Sequence, residues 1–349
     1  MKRTCWLFHS TFAVWLLPTA LWSFLSLALC AQDPNLVPEF EKELREATTD
    51  SARAIALQDL AFNLAHSEPA RSMAYAEQAL RVAERTGDAG VLSECQNGVG
   101  WAYFSQGNFA RARLLLDSSI QYMRATKNYF DLVSVCNNQG WVCLKQGDNL
   151  GALRYFREGL NAAEISGDQR RIAFMNRSMG AFYNAQKEYD KSIPHIQRAT
   201  EMFEAMGDSM QMSDCLSSLA NAHSGLGQQE IAITYYKKAL PIAHAMGDLL
   251  EEGMIYENWG MALGQLKRFD EAFSKLQTAR RLIEPLNERI EMASLHHAIG
   301  SMYLMKGDTA QAIASLEMAR RLSADLQQTD VLSEVLPALY ESYAATGSH

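Results

Sequence analysis

The chain has 349 residues and a formal net charge of −8 at pH 7. Without its two most N-terminal bases, Lys2 and Arg3, it keeps 30 Lys and Arg residues against 40 Asp and Glu residues, a charge of −10. An acidic surface of this kind repels nucleic acid and anionic lipid, so the composition argues against a nucleic-acid partner.

The first predicted element is an export signal. Lys2 and Arg3 precede an apolar run from Thr11 to Leu29, and small residues follow just before Gln32. A basic start, an apolar segment and a small-residue junction are typical of a cleaved signal peptide. We therefore expect residues 1–31 to be removed, with Gln32 as the mature N-terminus, and the protein to be exported to the periplasm or cell envelope of a bacterium.

This leader has two alternative interpretations. The apolar run is long enough for an uncleaved membrane anchor, although Pro18 interrupts it. As a lipoprotein signal it would be acylated at Cys30, although Leu29 is larger than that processing favours. No later stretch approaches eighteen apolar residues, so membrane contact is expected only through an uncleaved leader or a C-terminal region beyond this sequence.

Beyond residues 32–51, which are interpreted as an N-terminal linker or capping helix, the sequence repeats with a period of forty residues. A fixed period of this size indicates a solenoid, in which each unit buries its apolar face against its neighbours. The recurring phrase is a Gly-Asp pair or a substitute for it: Gly87-Asp88, Lys127-Asn128, Gly167-Asp168, Gly207-Asp208, Gly247-Asp248 and Leu286-Asn287.

Each repeat is predicted to be a helix, a turn and a second helix. In most repeats the turn holds a Gly that accepts a left-handed backbone and then a polar residue, as in Gly107-Asn108, Gly147-Asp148, Gly227-Gln228 and Gly307-Asp308. Small residues recur where the paired helices should cross, because a larger side chain would hold the backbones apart. In the first helix they are Gly100, Gly140, Gly180, Ala220, Gly260 and Gly300, and in the second Ser72, Ala112, Ala152, Ser192, Ala232, Ala272 and Ala312.

The unit resembles the tetratricopeptide repeat. The family's pattern of small, aromatic, small, bulky and small residues reads in one unit as Gly100, Tyr103, Ala112, Leu116 and Ser119. The resemblance covers residues 52–349, and the forty-residue period is similar to the MalT-like variant of the family. It implies an all-α fold, a right-handed superhelical solenoid of antiparallel helix pairs. Seven pairs are predicted, centred on residues 52–86, 93–126, 133–166, 173–206, 213–246, 253–286 and 293–326.

One unpaired final helix is predicted from Val331 to Thr346, with Gly347 at the position of the next turn glycine. A single helix of this kind can cap a solenoid. The alternative is that the array is the front of a longer protein. An export signal followed by such repeats resembles the sensory half of tetratricopeptide-containing histidine kinases.

The first helices of the repeats are expected to line a groove that binds a protein or peptide. Two Trp residues occupy the same column of adjacent units, each one turn from an Asn, and offer stacking surface and amides to an extended backbone. The candidate ligand-binding residues are Asn97, Trp101, Phe104, Asn137, Trp141, Arg177, Asn184 and Asn221. The alternative is structural: the Asn side chains tie one helix to the next, and the Trp rings pack against the adjacent repeat.

No residue pattern points to catalysis, a metal or another cofactor. The sequence has no nucleophile elbow, phosphate loop or zinc-protease motif, and Glu251 and Glu252 are interpreted as helix-start acids that favour the helix dipole. Of the cysteines outside the leader, only Cys95 and Cys136 could pair, across adjacent repeats. The chain is therefore predicted to be a non-enzymatic recognition module. Its role would be sensory, in a signalling system, or alternatively that of a scaffold for an envelope complex.

Overall fold

A computed structural model describes residues 36–65, 67–325 and 329–346. The predicted signal peptide, its junction at Gln32 and the turn residue Gly347 lie outside the described residues. Within them the chain folds into sixteen α-helices and contains no β-strand. None of the described helices is long and apolar enough to span a membrane.

The helices follow one another with short connections. They are α1 (Val37–Glu46), α2 (Asp50–Asn63), α3 (Pro69–Thr86), α4 (Ala89–Ser105), α5 (Phe109–Thr126), α6 (Tyr129–Lys145), α7 (Asn149–Ser166), α8 (Gln169–Ala185), α9 (Tyr189–Met206), α10 (Ser209–Gly225), α11 (Gln229–Met246), α12 (Leu249–Gln265), α13 (Phe269–Ile283, extended by a 3-10 turn at Glu284–Leu286), α14 (Arg289–Lys306), α15 (Thr309–Asp325) and α16 (Thr329–Thr346).

The predicted all-α solenoid of helix pairs is confirmed. The described residues divide into two compact units, one up to Gln106 and one from Gly107 onward. The first unit holds α1 to α4 and the second holds α5 to α16. In the second unit each first helix packs against the helix that follows it, as α6 does with α7 and α8 with α9, and also against its neighbours on either side.

Close helix crossings explain the columns of small residues. A Cβ atom added to Gly180 on α8 would lie 2.2 Å from Cγ1 of Ile196 on α9, and one added to Gly300 would lie 2.6 Å from Cγ of Leu316. The facing small residue also contributes a bond, because the hydroxyl of Ser192 donates to the carbonyl of Gly180 at 2.8 Å. The two backbones therefore approach as closely as the sequence pattern predicts.

Two backbone positions in each repeat are left-handed. The turns that follow a first helix have positive φ at Gly107, Gly147, Lys187, Gly227, Lys267 and Gly307, and those that follow a second helix at Gly87, Lys127, Gly167, Gly207, Gly247 and Asn287. The predicted turn glycines are thus confirmed. One register was wrong by a residue: Asn287, not Leu286, takes the glycine position, with φ of 56°. Because this turn has Asn in place of glycine, the sequence pattern did not show its exact position.

Helix caps and the core complete the framework. The Asp168 side chain accepts a hydrogen bond of 2.9 Å from the backbone N–H of Arg171 and so fixes the start of α8. Bulky residues such as Phe156, Ile196 and Tyr236 are fully buried between the helices. All four cysteines in the described part of the chain are buried and free, so Cys95 and Cys136 form no disulfide.

Candidate functional site

The candidate site is the side of the second unit that the first helices share. On each of these helices one position recurs every forty residues, and it holds Asn137, Arg177, Ser217, Glu257 and His297. We call this side, from α6 to α14, the first-helix face. Residues three or four positions away on the same helices share the same side, because that spacing is one helical turn.

Polar contacts on this face join α8 to α10, α10 to α12 and α12 to α14. The guanidinium of Arg177 on α8 reaches the carboxylate of Asp214 on α10 at 3.3 Å. In the next step the hydroxyl of Ser217 donates to Glu251 on α12 at 2.8 Å, and Ser294 on α14 donates to Glu257 at 2.7 Å. These bonds form a ladder in which one end of each bond lies in the column of Arg177, Ser217 and Glu257. The other end lies in the column of Asp214 and Ser294, except at Glu251, which is one turn earlier in its helix.

The carboxyl groups of this ladder are protonated more easily than ordinary ones. Burial raises the pKa of Asp214, an effect that the Arg177 charge opposes. Burial also raises the pKa of Glu251, against the bond from Ser217. Glu257 is the extreme case, because burial raises its pKa to about 7 although the Ser294 hydroxyl favours the charged form. Glu251 is therefore more than a helix-start acid, since its carboxylate is part of the ladder.

The Asn residues predicted to bind a ligand in this unit differ in their surroundings. Asn137 is only 5% exposed and its Oδ1 has no hydrogen-bond partner. Asn184 donates to the carbonyl of Ser218 on the next first helix at 3.1 Å, while its own Oδ1 is buried without a partner. Asn221 is exposed and accepts a bond of 2.6 Å from the hydroxyl of Tyr236. Asn184 thus ties neighbouring helices together, whereas Asn221 faces solvent.

Trp141 belongs in part to the packing of its own repeat. Its ring meets Phe156 of α7 edge-on, with ring centroids 5.2 Å apart, and the side chain is half-buried. It therefore packs on the second helix of the same pair, while the alternative interpretation had placed it against the adjacent repeat. The exposed part of the ring is what it can offer to a ligand.

The other predicted site residues lie in the first unit. Trp101 stacks on Phe104 with ring centroids 4.9 Å apart, and both are half-buried on α4 together with Asn97. The indole N–H of Trp101 is buried without an acceptor. The pairing of Trp101 with Trp141 in one platform joins two separate units and stays a prediction.

Unpartnered polar atoms concentrate on three first helices. Eleven buried side-chain nitrogen and oxygen atoms in the described part of the chain have no hydrogen-bond partner, and seven of them belong to α6, α8 and α10. They include both donors and acceptors: Oδ1 of Asn137, Oε1 of Gln139, Nε and Nη1 of Arg171, Nε of Arg177, Oδ1 of Asn184 and Oε1 of Gln211. Buried polar groups without partners are rare in folded proteins and call for an explanation.

Sequence reasoning did not select Arg171, Gln211, Glu251 or Ser294. Arg171 and Gln211 occupy the same column of successive repeats, one turn before Phe174 and Asp214, and this register is the signal that could have found them. No three His, Cys, Asp or Glu side chains are grouped to hold a metal ion in the residues that the structure covers. The ladder on this face uses both hydrogen-bond donors and carboxylate acceptors.

The repeats of this chain are similar to those of known proteins. The family model described as tetratricopeptide repeat matches residues 171–245 and 251–325. No curated protein sequence matches the chain.

Several solved structures are similar in fold. A Rap protein complexed with competence and sporulation factor superposes with a TM-score of 0.63 at 14% identity, over 84% of this chain and 86% of that one. A tetratricopeptide repeat protein from Parabacteroides merdae gives 0.56 at 14%, over 87% and 99%. A signal transduction ATPase with a tetratricopeptide repeat sensor, from Pyrococcus horikoshii, gives 0.60 at 14%, over 91% of this chain and 50% of that one.

Proposed function

The chain is a tetratricopeptide repeat protein, and we propose that it binds a protein or peptide segment along the first-helix face of its second unit. Repeat arrays of this kind use extended surfaces for recognition. The Rap structure similar to this chain holds a bound factor, which supports a protein or peptide partner. The proposal involves binding alone and assigns no catalytic residue.

The observation that carries the proposal is the concentration of unpartnered atoms on α6, α8 and α10. A peptide backbone alternates N–H donors and C=O acceptors, so it can satisfy groups such as Asn137 Oδ1, Gln211 Oε1 and the Nε–H of Arg177. All three atoms are covered in the structure, so their side chains must turn to the surface when the ligand binds. Leaving such groups unsatisfied costs roughly 1–3 kcal/mol each. A ligand that satisfies several of them gains that free energy on binding.

Site-specific photo-crosslinking tests this proposal. A photo-reactive amino acid at Asn221, which is exposed on α10, is expected to capture a partner from a cell-envelope extract. The same group at Glu204, which is exposed on the second helix α9, serves as the matched control. The captured protein is then titrated against the wild type and the Arg177→Ala variant, with circular dichroism to confirm the fold.

We expect crosslinks from position 221 alone and weaker binding by Arg177→Ala. Capture from position 204 alone, with affinity unchanged by Arg177→Ala, would instead favour the second candidate function, a scaffold that uses its second helices. That candidate is kept because the exposed second helices also carry apolar residues, such as Leu114 and Ile231.

We further propose that the protein acts outside the cytoplasm as a sensory domain. Residues 1–31 begin with basic residues and continue with an apolar run, and this order supports export. The similar ATPase from Pyrococcus horikoshii has a tetratricopeptide repeat sensor, which supports a sensory role. N-terminal sequencing of protein from the envelope fraction tests export. A chain that begins at Gln32 supports it, and one that still begins at Met1 and needs detergent for extraction indicates an anchor.

A further inference from the structure

Arg171 is a buried cation for which the chain supplies no anion. The residue is only 4% exposed, and neither Nε nor Nη1 has a hydrogen-bond acceptor. Every acid in the described part of the chain lies beyond salt-bridge distance of its guanidinium. Burial accordingly lowers the pKa of Arg171, against the weaker influence of Asp131 and Asp168.

An unpaired buried charge is among the most costly groups in a folded protein. The neighbouring Arg170 shows the ordinary arrangement, because it is exposed and pairs with Asp208, the N-cap residue of α10. The ring of Phe130 on α6 is in direct contact with this charge, with the guanidinium carbon 3.4 Å from the ring centroid, while Asp131 and Asp168 act on it from a greater distance. This contact satisfies none of the N–H groups, so an acceptor is still required.

Phe130 lies at the edge of these surroundings. It is in the first turn of α6 and is 37% exposed, so part of its ring already faces solvent. Gln211 of α10 occupies the same column as Arg171 in the next repeat, and its Oε1 is likewise buried without a partner. Rotation of Phe130 would therefore uncover a cation with an amide side chain one repeat away.

We propose that Arg171 binds the side-chain carboxylate of an Asp or Glu within the segment held by the first-helix face, with Phe130 as a movable cover. This inference rests on the proposed function and names the chemistry of its ligand, an acidic peptide segment. A carboxylate supplies the missing charge and acceptor oxygens together. Asp131 and Asp168 repel any anion at this site, and they repel a phosphate more than a carboxylate because a phosphate carries a second negative charge.

Two pools of displayed peptides test the proposal. Each peptide has nine residues, blocked ends and random flanks, with a central Asp in one pool and a central Asn in the other. The wild type is expected to retain the Asp pool about tenfold more than the Asn pool, the discrimination typical of a charged hydrogen bond. Excess inorganic phosphate should leave this ratio unchanged.

Variants assign the preference to Arg171. Arg171→Gln should bring the ratio to one, Arg171→Lys should keep part of it, and the control Arg170→Gln should keep all of it. Phe130→Ala should strengthen retention of the Asp pool several-fold, because no ring has to be displaced. Circular dichroism confirms that each variant is folded.

The possible failures are distinguishable. Equal retention of both pools by the wild type, or a full Asp preference in Arg171→Gln, overturns the role of Arg171 while peptide binding stands. If excess phosphate abolishes the preference for the Asp pool, Arg171 binds a free anion, and the proposed binding of a peptide carboxylate is overturned. Loss of Asp-pool retention in Phe130→Ala overturns the role of cover. If neither pool binds, the proposed peptide-binding function fails together with this inference.

Discussion

Ser294 donates a 2.7 Å hydrogen bond to Glu257 and so joins α14 to α12 across two repeats. The carboxyl group is almost completely enclosed, with 7% of the residue exposed. Enclosure favours the neutral acid, and the pKa of Glu257 therefore rises to about 7. A link between neighbouring repeats thus titrates close to neutral pH.

The first prediction is that Glu257 makes stability depend on pH. Its pKa is higher in the folded chain than the ordinary 4.5 of the unfolded one, so the folded state binds the proton more tightly. The stabilisation that comes from the bound proton of Glu257 is fully present below about pH 4.5. It is lost as the pH rises to about 7, and the free energy of unfolding falls by about 3 kcal/mol over this range.

Urea denaturation at several pH values measures this dependence. Glu257→Gln keeps an acceptor for Ser294 without a titrating group, so the fall should be much smaller in that variant. Glu204→Gln, at an exposed position on α9, should leave the fall unchanged. An undiminished pH dependence in Glu257→Gln would assign the effect to other buried acids, such as Glu251.

The second prediction concerns the close helix crossings. Gly180→Ala places a methyl group where Ile196 Cγ1 lies 2.2 Å away, whereas Gly260→Ala meets Leu276 Cγ at 3.0 Å. Overpacking typically costs about 1–3 kcal/mol, so Gly180→Ala should destabilise the second unit clearly more than Gly260→Ala. Hydrogen exchange should show the loss of protection centred on α8, α9 and their neighbours. Equal effects of the two changes would contradict the crossing geometry.

The third prediction is that Lys187→Gly stabilises the fold. Lys187 has φ of 58° in the turn between α8 and α9, a conformation that costs an L-residue about 1–2 kcal/mol. Glycine removes this cost but loses about 0.4–1 kcal/mol through the greater freedom of the unfolded chain. A net gain of up to about 1 kcal/mol should appear as a higher midpoint of urea denaturation.

A matched substitution serves as the control for Lys187. Lys191→Gly, at an exposed position inside α9, should instead destabilise the fold by about 1 kcal/mol, as glycine does within helices. If Lys187→Gly also destabilised, the backbone there would not be left-handed in solution.

The fourth prediction concerns Trp141. Because its ring packs edge-on against Phe156, Trp141→Ala should lower the free energy of unfolding by about 1–3 kcal/mol, less than for a fully buried Trp. Leu150→Ala on α7, where Leu150 is 84% exposed, should have almost no effect. A variant with unchanged stability but weakened partner binding would show that Trp141 serves the ligand alone.

Much of the fold could be predicted from the sequence because the turns and crossings depend on single residue types. A left-handed turn favours Gly and a close crossing excludes large side chains, so both leave a period of forty residues. The prediction erred by one residue at Asn287, where no glycine stands. Asn tolerates the left-handed region, but its presence carries a weaker signal.

The candidate site was less predictable, since its properties depend on partners in other repeats. Asn184 and Asn221 look alike in the sequence, yet one bonds the next helix and the other faces solvent. The distinguishing property of Arg171 is the lack of an acceptor within reach. No local pattern encodes such an absence, because it depends on every side chain packed around the guanidinium.

The forty-residue period of the repeats determines how a gene for such a protein can change length. An in-frame deletion of one whole period, residues 169–208, would bring α6 and α7 before α10 and set Asn137 in the place from which Arg177 reaches Asp214. Asn137 would offer an amide donor there in place of the guanidinium, on a shorter side chain. Gene duplication and unequal crossing-over can therefore add or remove whole units with every crossing and turn kept in register, and each event changes one bond of the ladder.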